Sequence, residues 1–199
     1  MICIHYHYSQ KCNFVYASGK VDNSNLVIIM ELQIRNSTPQ DIDSIFKFYK
    51  FATDFQKAKS VVSWPEFDRK LIEQELKVHR QWKMVAGRDI ACVWATTFDD
   101  PDIWEERNED PAVYIHRIAT NPDFRGQNLV RYIVHWAVEY AIANNKNFVR
   151  LDTVGENKGL IEHYTRCGFE FLGLKKLSDT SGLPAHYDKA TVSLFELKL

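Results

Sequence analysis

The sequence predicts a single α/β domain built around one mixed sheet. Runs rich in β-branched and aromatic residues alternate with runs whose apolar residues recur at three- and four-residue steps, so strands and amphipathic helices take turns along the chain. The length of 199 residues, with 45% hydrophobic content, is enough for one domain with a substantial core and short for two. Charge narrows the class further. Twenty-five Lys and Arg against 26 Asp and Glu give a net charge of −1, with no basic run, so neither nucleic acid nor an anionic membrane is indicated as partner. Cys3, Cys12, Cys92 and Cys167 lie far apart, without metal-ligand spacing or a disulfide framework, which suits a reducing cytoplasm. No apolar run approaches the roughly 20 residues of a membrane helix.

The elements follow in order. Residues 1–29 lack the basic start and long apolar middle of a signal peptide and hold no sustained period, so they read as an N-terminal extension. Met30 leads directly into Glu-Leu-Gln-Ile-Arg, a first strand, and translation is expected to start there. The competing reading is an added N-terminal strand, with Ile2, Tyr6, Tyr8, Phe14 and Tyr16 available for burial. His5 and His7 have no partner ligands nearby, and no metal is expected. The domain proper spans 30–199. Thr38-Pro39-Gln40-Asp41 is a capped helix start, with Ile42, Ile45, Phe46 and Tyr49 on one face. Ser63-Trp64-Pro65-Glu66 repeats the device ahead of Phe67, Leu71, Ile72 and Leu76. Residues 82–86 and 90–98 flank Gly87-Arg88-Asp89 as a hairpin.

The central stretch is 114–141, YIHRIATNPDFRGQNLVRYIVHWAVEYA. A strand over 113–120 reaches the turn Asn121-Pro122-Asp123, then an Arg-Gly loop, then a helix that buries Leu129, Val130, Ile133, Val134, Trp136, Ala137, Tyr140 and Ala141 on one face. A loop that ends at a helix start offers unpaired N–H groups and the positive end of the helix dipole, which together suit an anion. Residues 148–153 form a buried strand that delivers Asp152 to a loop. A short helix then carries Leu160, Ile161 and Tyr164 inward, with Gly168 capping it and Phe169 packing back.

These two stretches resemble the GCN5-related N-acetyltransferase (GNAT) superfamily over about residues 32–199. Arg125-Gly126-Gln127-Asn128-Leu129-Val130 is similar to the family's R/Q-x-x-G-x-G/A loop, with Asn128 and Val130 in place of small residues. Asn tolerates the left-handed backbone best after Gly, whereas the branched side chain of Val130 crowds a phosphate that approaches the backbone. The family's N-x-x-A-x-x-x-Y-x-x-x-G-F pattern is met by Asn157, Tyr164, Gly168 and Phe169, with Leu160 at the small position. The resemblance implies a sheet of six to seven strands with about four helices, splayed between its fourth and fifth strands. It implies acetyl-CoA as acetyl donor. The backbone of Ile118, Ala119 and Thr120 would pair with the pantetheine arm, Arg125, Gly126, Gln127, Asn128, Leu129 and Val130 would hold the pyrophosphate, and Asn157 would contribute to the cofactor site.

Acetyl transfer to an amine by direct attack needs a neutral amine, a donor to the developing oxyanion and a proton for the departing thiolate. A backbone N–H near Ile118 suits the second need. Tyr164 matches the family's general acid, because a phenol of pKa about 10 is protonated at neutral pH. The plain alternative is a core tyrosine. His116 on the central strand is the first choice of base. Asp152, His163, His186 and the Tyr114 hydroxyl compete with it, as does bulk water, and Cys167 would serve only as a covalent relay. Acceptor contacts are expected from Asp152 and from the loop FDDPDIWEERNEDP, whose acids would attract a cation that Trp104 could cover. A charge run of this kind is also what a solvated loop looks like. The acceptor class stays open between small amines and peptide or protein amines. Family members commonly form homodimers, and no residue here marks such an interface. Asn128 and Val130 motivate the alternative of a CoA-binding module with little turnover.

Overall fold

The computed structural model describes residues 12–18, 28–59 and 61–199. Its strands form one eight-stranded sheet in the order β1-β2-β3-β4-β5-β6-β8-β7. The strands are β1 (Cys12–Ser18), β2 (Ile28–Asn36), β3 (Gln81–Ala86), β4 (Asp89–Thr97), β5 (Ala112–Thr120), β6 (Phe148–Val154), β7 (Glu170–Lys176) and β8 (Thr191–Lys198). The helices are α1 (Ile42–Ala58), α2 (Arg69–Lys77), the single turn α3 (Pro101–Trp104), α4 (Val130–Ala143) and α5 (Lys158–Arg166). From β2 onward this is the expected seven-stranded arrangement. β1 lies inside the N-terminal extension and pairs antiparallel with β2 from Cys12↔Ile34 to Ser18↔Ile28. Cys3, His5 and His7 fall outside the described residues.

Strand alternation sorts the core into two layers. Cys92, Trp94, Val113 and Ile115 face α4, where Ile133, Trp136 and Ala137 close a cluster with Phe169 and Phe195. Their neighbours Val93 and Ala119 face the other way, against Ile45, Phe48 and Tyr49 of α1 and Ile72 and Leu76 of α2. On that second face, beside α3, Trp104, Tyr114, Leu177, Val192 and Leu194 form a further cluster. The face of α1 is as expected except that Phe48 is buried where Phe46 was placed. Its start is also as expected, since the Asp41 carboxylate accepts from both the backbone N–H and the hydroxyl of Thr38.

The second helix begins later than its sequence suggests. Residues 63–66 carry a cap signature, yet the true N-cap is Asp68, whose side chain accepts from the Lys70 N–H at 2.9 Å. The Trp64 N–H is held by Gln56 Oε1, and its ring packs edge-on against Tyr49 and Phe67. Tertiary packing of one aromatic thus overrides the local start signal.

Two irregularities shape the middle of the sheet. β5 and β6 run parallel, and their ladder extends only from Ala112↔Phe148 to Tyr114↔Arg150, so beyond it the strands part. This is the expected splay. On its other edge β5 carries a bulge, because Val93 opposes Ala119 and Ala95 opposes His116, leaving Arg117 and Ile118 against Trp94 alone. Arg117 takes the left-handed conformation there, with φ 54°. Its guanidinium meets the Glu75 carboxylate at 2.5 Å and lies over the rings of Tyr49 and Phe67, so α2 and α1 clamp the bulge.

Candidate active site

The expected phosphate loop is built by its turns. Asn121 donates its N–H to Ala91 O and its amide to Ile90 O, while its Oδ1 accepts from the Asp123 N–H, which ties the end of β5 to the end of the hairpin. Pro122–Phe124 makes one 3₁₀ turn, and the chain then swings through Gly126 (φ 78°) and Asn128 (φ 53°) into α4. Asn128 therefore adopts the left-handed backbone its sequence position suggested. Leu129 is sunk in the core, and Val130, half-buried, packs against the same cluster.

The loop is equipped for an anion. Among the described residues, the backbone N–H groups of 126–130 find no acceptor in the protein. They gather at the N-terminus of the 14-residue helix α4. A Cβ built on Gly126 would meet nothing within 4 Å, so the approach to the loop is open. Arg125 stands beside it with its guanidinium 4.6 Å from the centroid of the exposed Phe55 ring and, among the described residues, no carboxylate partner. Gln127 Oε1 is buried without a donor. The N–H groups and Arg125 fit a pyrophosphate, whereas the Gln127 oxygen, itself an acceptor, offers an anion nothing. Ile118, Ala119 and Thr120 occupy the part of β5 that has left β6, where an extended ligand would find unpaired backbone.

Tyr164 reaches from α5 onto the core, packed against Phe169 and Phe195. Among the described residues nothing hydrogen bonds its hydroxyl. Burial raises its pKa first, with Cys167, Cys92 and Asp152 adding to the rise, so the phenol stays protonated at any physiological pH. α5 is aimed by its ends: Asn157 Oδ1 accepts from the Leu160 N–H, and the Phe169 N–H returns to Tyr164 O. Asn157 thus spends its carbonyl oxygen as a helix cap. Cys167, whose thiol is pushed up by burial, is half-buried against the core and remains a thiol at neutral pH.

Across the splay, Asp100, His116 and Asp152 each bring one oxygen or nitrogen to within 4.8 Å of the other two. Asp100 follows β4, His116 precedes the bulge of β5, and Asp152 lies on β6 just beyond the end of the shared ladder. The Tyr187 hydroxyl donates to Asp152 Oδ2 at 2.9 Å, from the 3₁₀ turn Ala185–Tyr187 in the last long loop. Burial lifts the Asp152 carboxyl to about 6. Burial, then the charges of Asp152, Asp102 and Asp99, lift Asp100 to about 8. His116 moves the other way. Burial and the charges of Arg117 and Arg80 depress it to about 3, so it is a neutral and weakly basic ring, unlike the near-neutral base its sequence suggested.

Trp104 is placed differently from expectation. It is 1% exposed and lies under the guanidinium of Arg150, 4.9 Å away, so its face is already covered by a cation of the chain itself. Several acids of the same loop are also spoken for. Asp99 pairs with Arg80, Glu105 with Lys175 and Asp110 with Arg150. Sequence reasoning passed over Asp100 as one acid among many and over Arg117, Glu75 and Thr97 altogether. Only the alternation of side chains along β4 and β5 hinted that Thr97 and His116 share a face.

Comparison with known proteins agrees with this geometry. Residues 47–169 of the 199 match the family model described as "Acetyltransferase (GNAT) family". The chain is 30% identical over 152 residues to an uncharacterised N-acetyltransferase, MJ1207, of Methanocaldococcus jannaschii, an alignment covering 72% of this chain and 62% of that protein. Among solved structures, a GNAT-family acetyltransferase from Listeria monocytogenes superposes with a TM-score of 0.69 at 24% identity, covering 85% of this chain and 96% of that one. The NatC complex bound to Gag peptide and CoA superposes at 0.61 and 15% identity, over 84% of this chain and 98% of that one. The fold and the paired strand–loop–helix motifs define an acyltransferase scaffold. The chain belongs to the acetyltransferase (GNAT) family.

Proposed function

We propose that the protein is an acetyl-CoA-dependent N-acetyltransferase that moves an acetyl group onto a primary amine by direct attack. The observation that carries this reading is the run of unbonded N–H groups over 126–130, set at the mouth of the strands that part after Tyr114 and Arg150. Arg125 and the amides of that loop would hold the pyrophosphate, and the free edge of β5 at Ile118, Ala119 and Thr120 would align the pantetheine arm. Bound there, acetyl-CoA supplies an activated acyl carbon. The N–H near Ile118 would serve as donor to the carbonyl oxygen as its charge grows. Tyr164 Oη would give its proton to the departing sulfur and regain one from the newly acylated nitrogen, which would restore the phenol. The NatC structure of similar fold contains CoA, which supports the choice of donor. Free thiols at Cys92 and Cys167 suit a cytoplasmic setting.

Isothermal titration with acetyl-CoA is the direct test, followed by release of free thiol across a panel of amines. Micromolar binding is expected. Tyr164→Phe should lower kcat by about 10²-fold while leaving acetyl-CoA affinity unchanged. Absence of binding by the unaltered protein would overturn the reading, and binding without turnover on any amine would leave only a CoA-binding module.

A further inference from the structure

One extra residue in β5 decides which way the backbone points beyond it. Ile115 and Ile118 both pack on the α4 face of the sheet, while Arg117 and Ala119 reach α1 and α2 on the other. Three residues apart on a regular strand, Ile115 and Ile118 would face opposite ways, so the bulge shifts the alternation by one. Successive N–H groups alternate between the edges of a strand as side chains alternate between its faces. The bulge therefore fixes which N–H groups beyond it point to β4 and which to the gap where β6 has left.

Arg117 is poorly suited to that turn. Its φ of 54° is left-handed, a region that a residue with a Cβ keeps only when its surroundings hold it there. What holds it is charge. The Glu75 carboxylate of α2 meets the guanidinium at 2.5 Å, and the rings of Tyr49 and Phe67 lie against it. Glu75 is itself fixed, since its other oxygen accepts from Gln81 Nε2 at 2.7 Å and the same amide donates to the Tyr49 hydroxyl at 3.1 Å. Glu75, Gln81 and Tyr49 are all buried. A buried carboxylate bonded this way draws the arginine to one place, and the backbone at 117 must follow.

Resting on the acetyl-transfer reading above, we propose that Glu75, acting through Arg117, is a positioning residue for acetyl transfer. The pair holds the bulge so that the backbone N–H near Ile118 stands ready for the thioester oxygen. A donor fixed in advance stabilises the growing charge without reorganising, and loss of one such donor costs about 10²–10³-fold in rate. Releasing the clamp costs less, because the N–H remains but is no longer held. Neither side chain need touch the reacting atoms.

Kinetics of the full chain with acetyl-CoA and n-butylamine, read as released thiol, test this. Glu75→Gln, which loses the charge and keeps the shape, should lower kcat about 10–30-fold and change KM for acetyl-CoA less than about threefold. The decisive pair replaces both partners. Glu75→Gln with Arg117→Gly and Glu75→Gln with Arg117→Ala bury no unpaired charge and differ by a single methyl group. Only glycine enters the left-handed region freely, so kcat of the glycine form should exceed that of the alanine form by about fivefold or more. Unchanged acetyl-CoA affinity shows that the variants fold. Equal rates in the glycine and alanine forms, or an unchanged kcat in Glu75→Gln, overturn the assignment while the transferase reading stands. Infrared spectroscopy of acetyl-CoA with an isotopically labelled acetyl carbonyl reads the same hydrogen bond without turnover. The stretch should fall on binding to the unaltered protein and return toward its solution value in the alanine form. A stretch unmoved by binding, or lowered equally in both proteins, overturns the proposal even where n-butylamine is not acetylated. Failure of the unaltered protein to bind acetyl-CoA removes the transferase reading and this one with it.

Discussion

Asp100 is a carboxyl that the folded chain would rather keep protonated. Its folded pKa of about 8 stands above its ordinary value of 3.8, for the reason of burial first and three neighbouring aspartates second. The folded state therefore binds a proton more tightly than the unfolded chain does. Stability is highest below about pH 4 with respect to this group, falls as pH rises toward 8 and is level beyond. Asp100→Asn removes that penalty. Thermal unfolding at pH 9 should show the variant more stable by on the order of 1–2 kcal/mol, a rise of several degrees, with no gain at pH 4. Equal melting temperatures at pH 9 would show that the carboxyl is freely solvated. The left-handed backbone of Asn128 was legible because it answers to its own loop, whereas Tyr164 stood out through the family's pattern and not through spacing alone. Asp100 was illegible, since its character arises only where β4, β5 and β6 meet. Trp104 misled for the same reason: a tryptophan among acids invites a ligand cation, and only the fold shows Arg150 already over it.

The bulge of β5 is the element on which the site depends. It turns Arg117 out of the strand's alternation, and α2 answers with Glu75 across 42 residues of sequence. Both side chains are largely buried, so removing one partner leaves a charge without compensation. Glu75→Ala should cost about 3 kcal/mol, lowering the melting temperature by roughly 6–12 °C. A shift under about 2 °C would mean that solvent reaches Arg117 and that the bulge holds without α2. Element order was readable from periodicity alone, because strands and amphipathic helices leave different spacings. Element starts were less so. The cap signature at 63–66 is real chemistry, but Gln56 and the rings of Tyr49 and Phe67 claim Trp64 before a helix can form there. A bulge leaves no signature in one strand, as register belongs to a pair.

Across the whole molecule the sheet ends in two margins, β1 on one side and β7 on the other. Arg150 knots its middle, fully buried and bound to Asp110, Tyr114, Glu196 and the Arg107 carbonyl, so the acidic loop, β5, β6 and β8 share one anchor. The β1 margin is the more consequential. A chain cut to begin at Met30 would keep every part of the active site yet lose the strand that occupies the outer hydrogen-bonding groups of β2. The shortened sheet would end in β2 as the full one ends in β1, with those groups turned to water. Amide hydrogen exchange over residues 30–36 should be faster in the shortened chain than in the full one, and equal protection in the two would contradict this. β1 in that view is a hem on the fabric of the sheet, seven residues that keep the border of the working cloth from fraying.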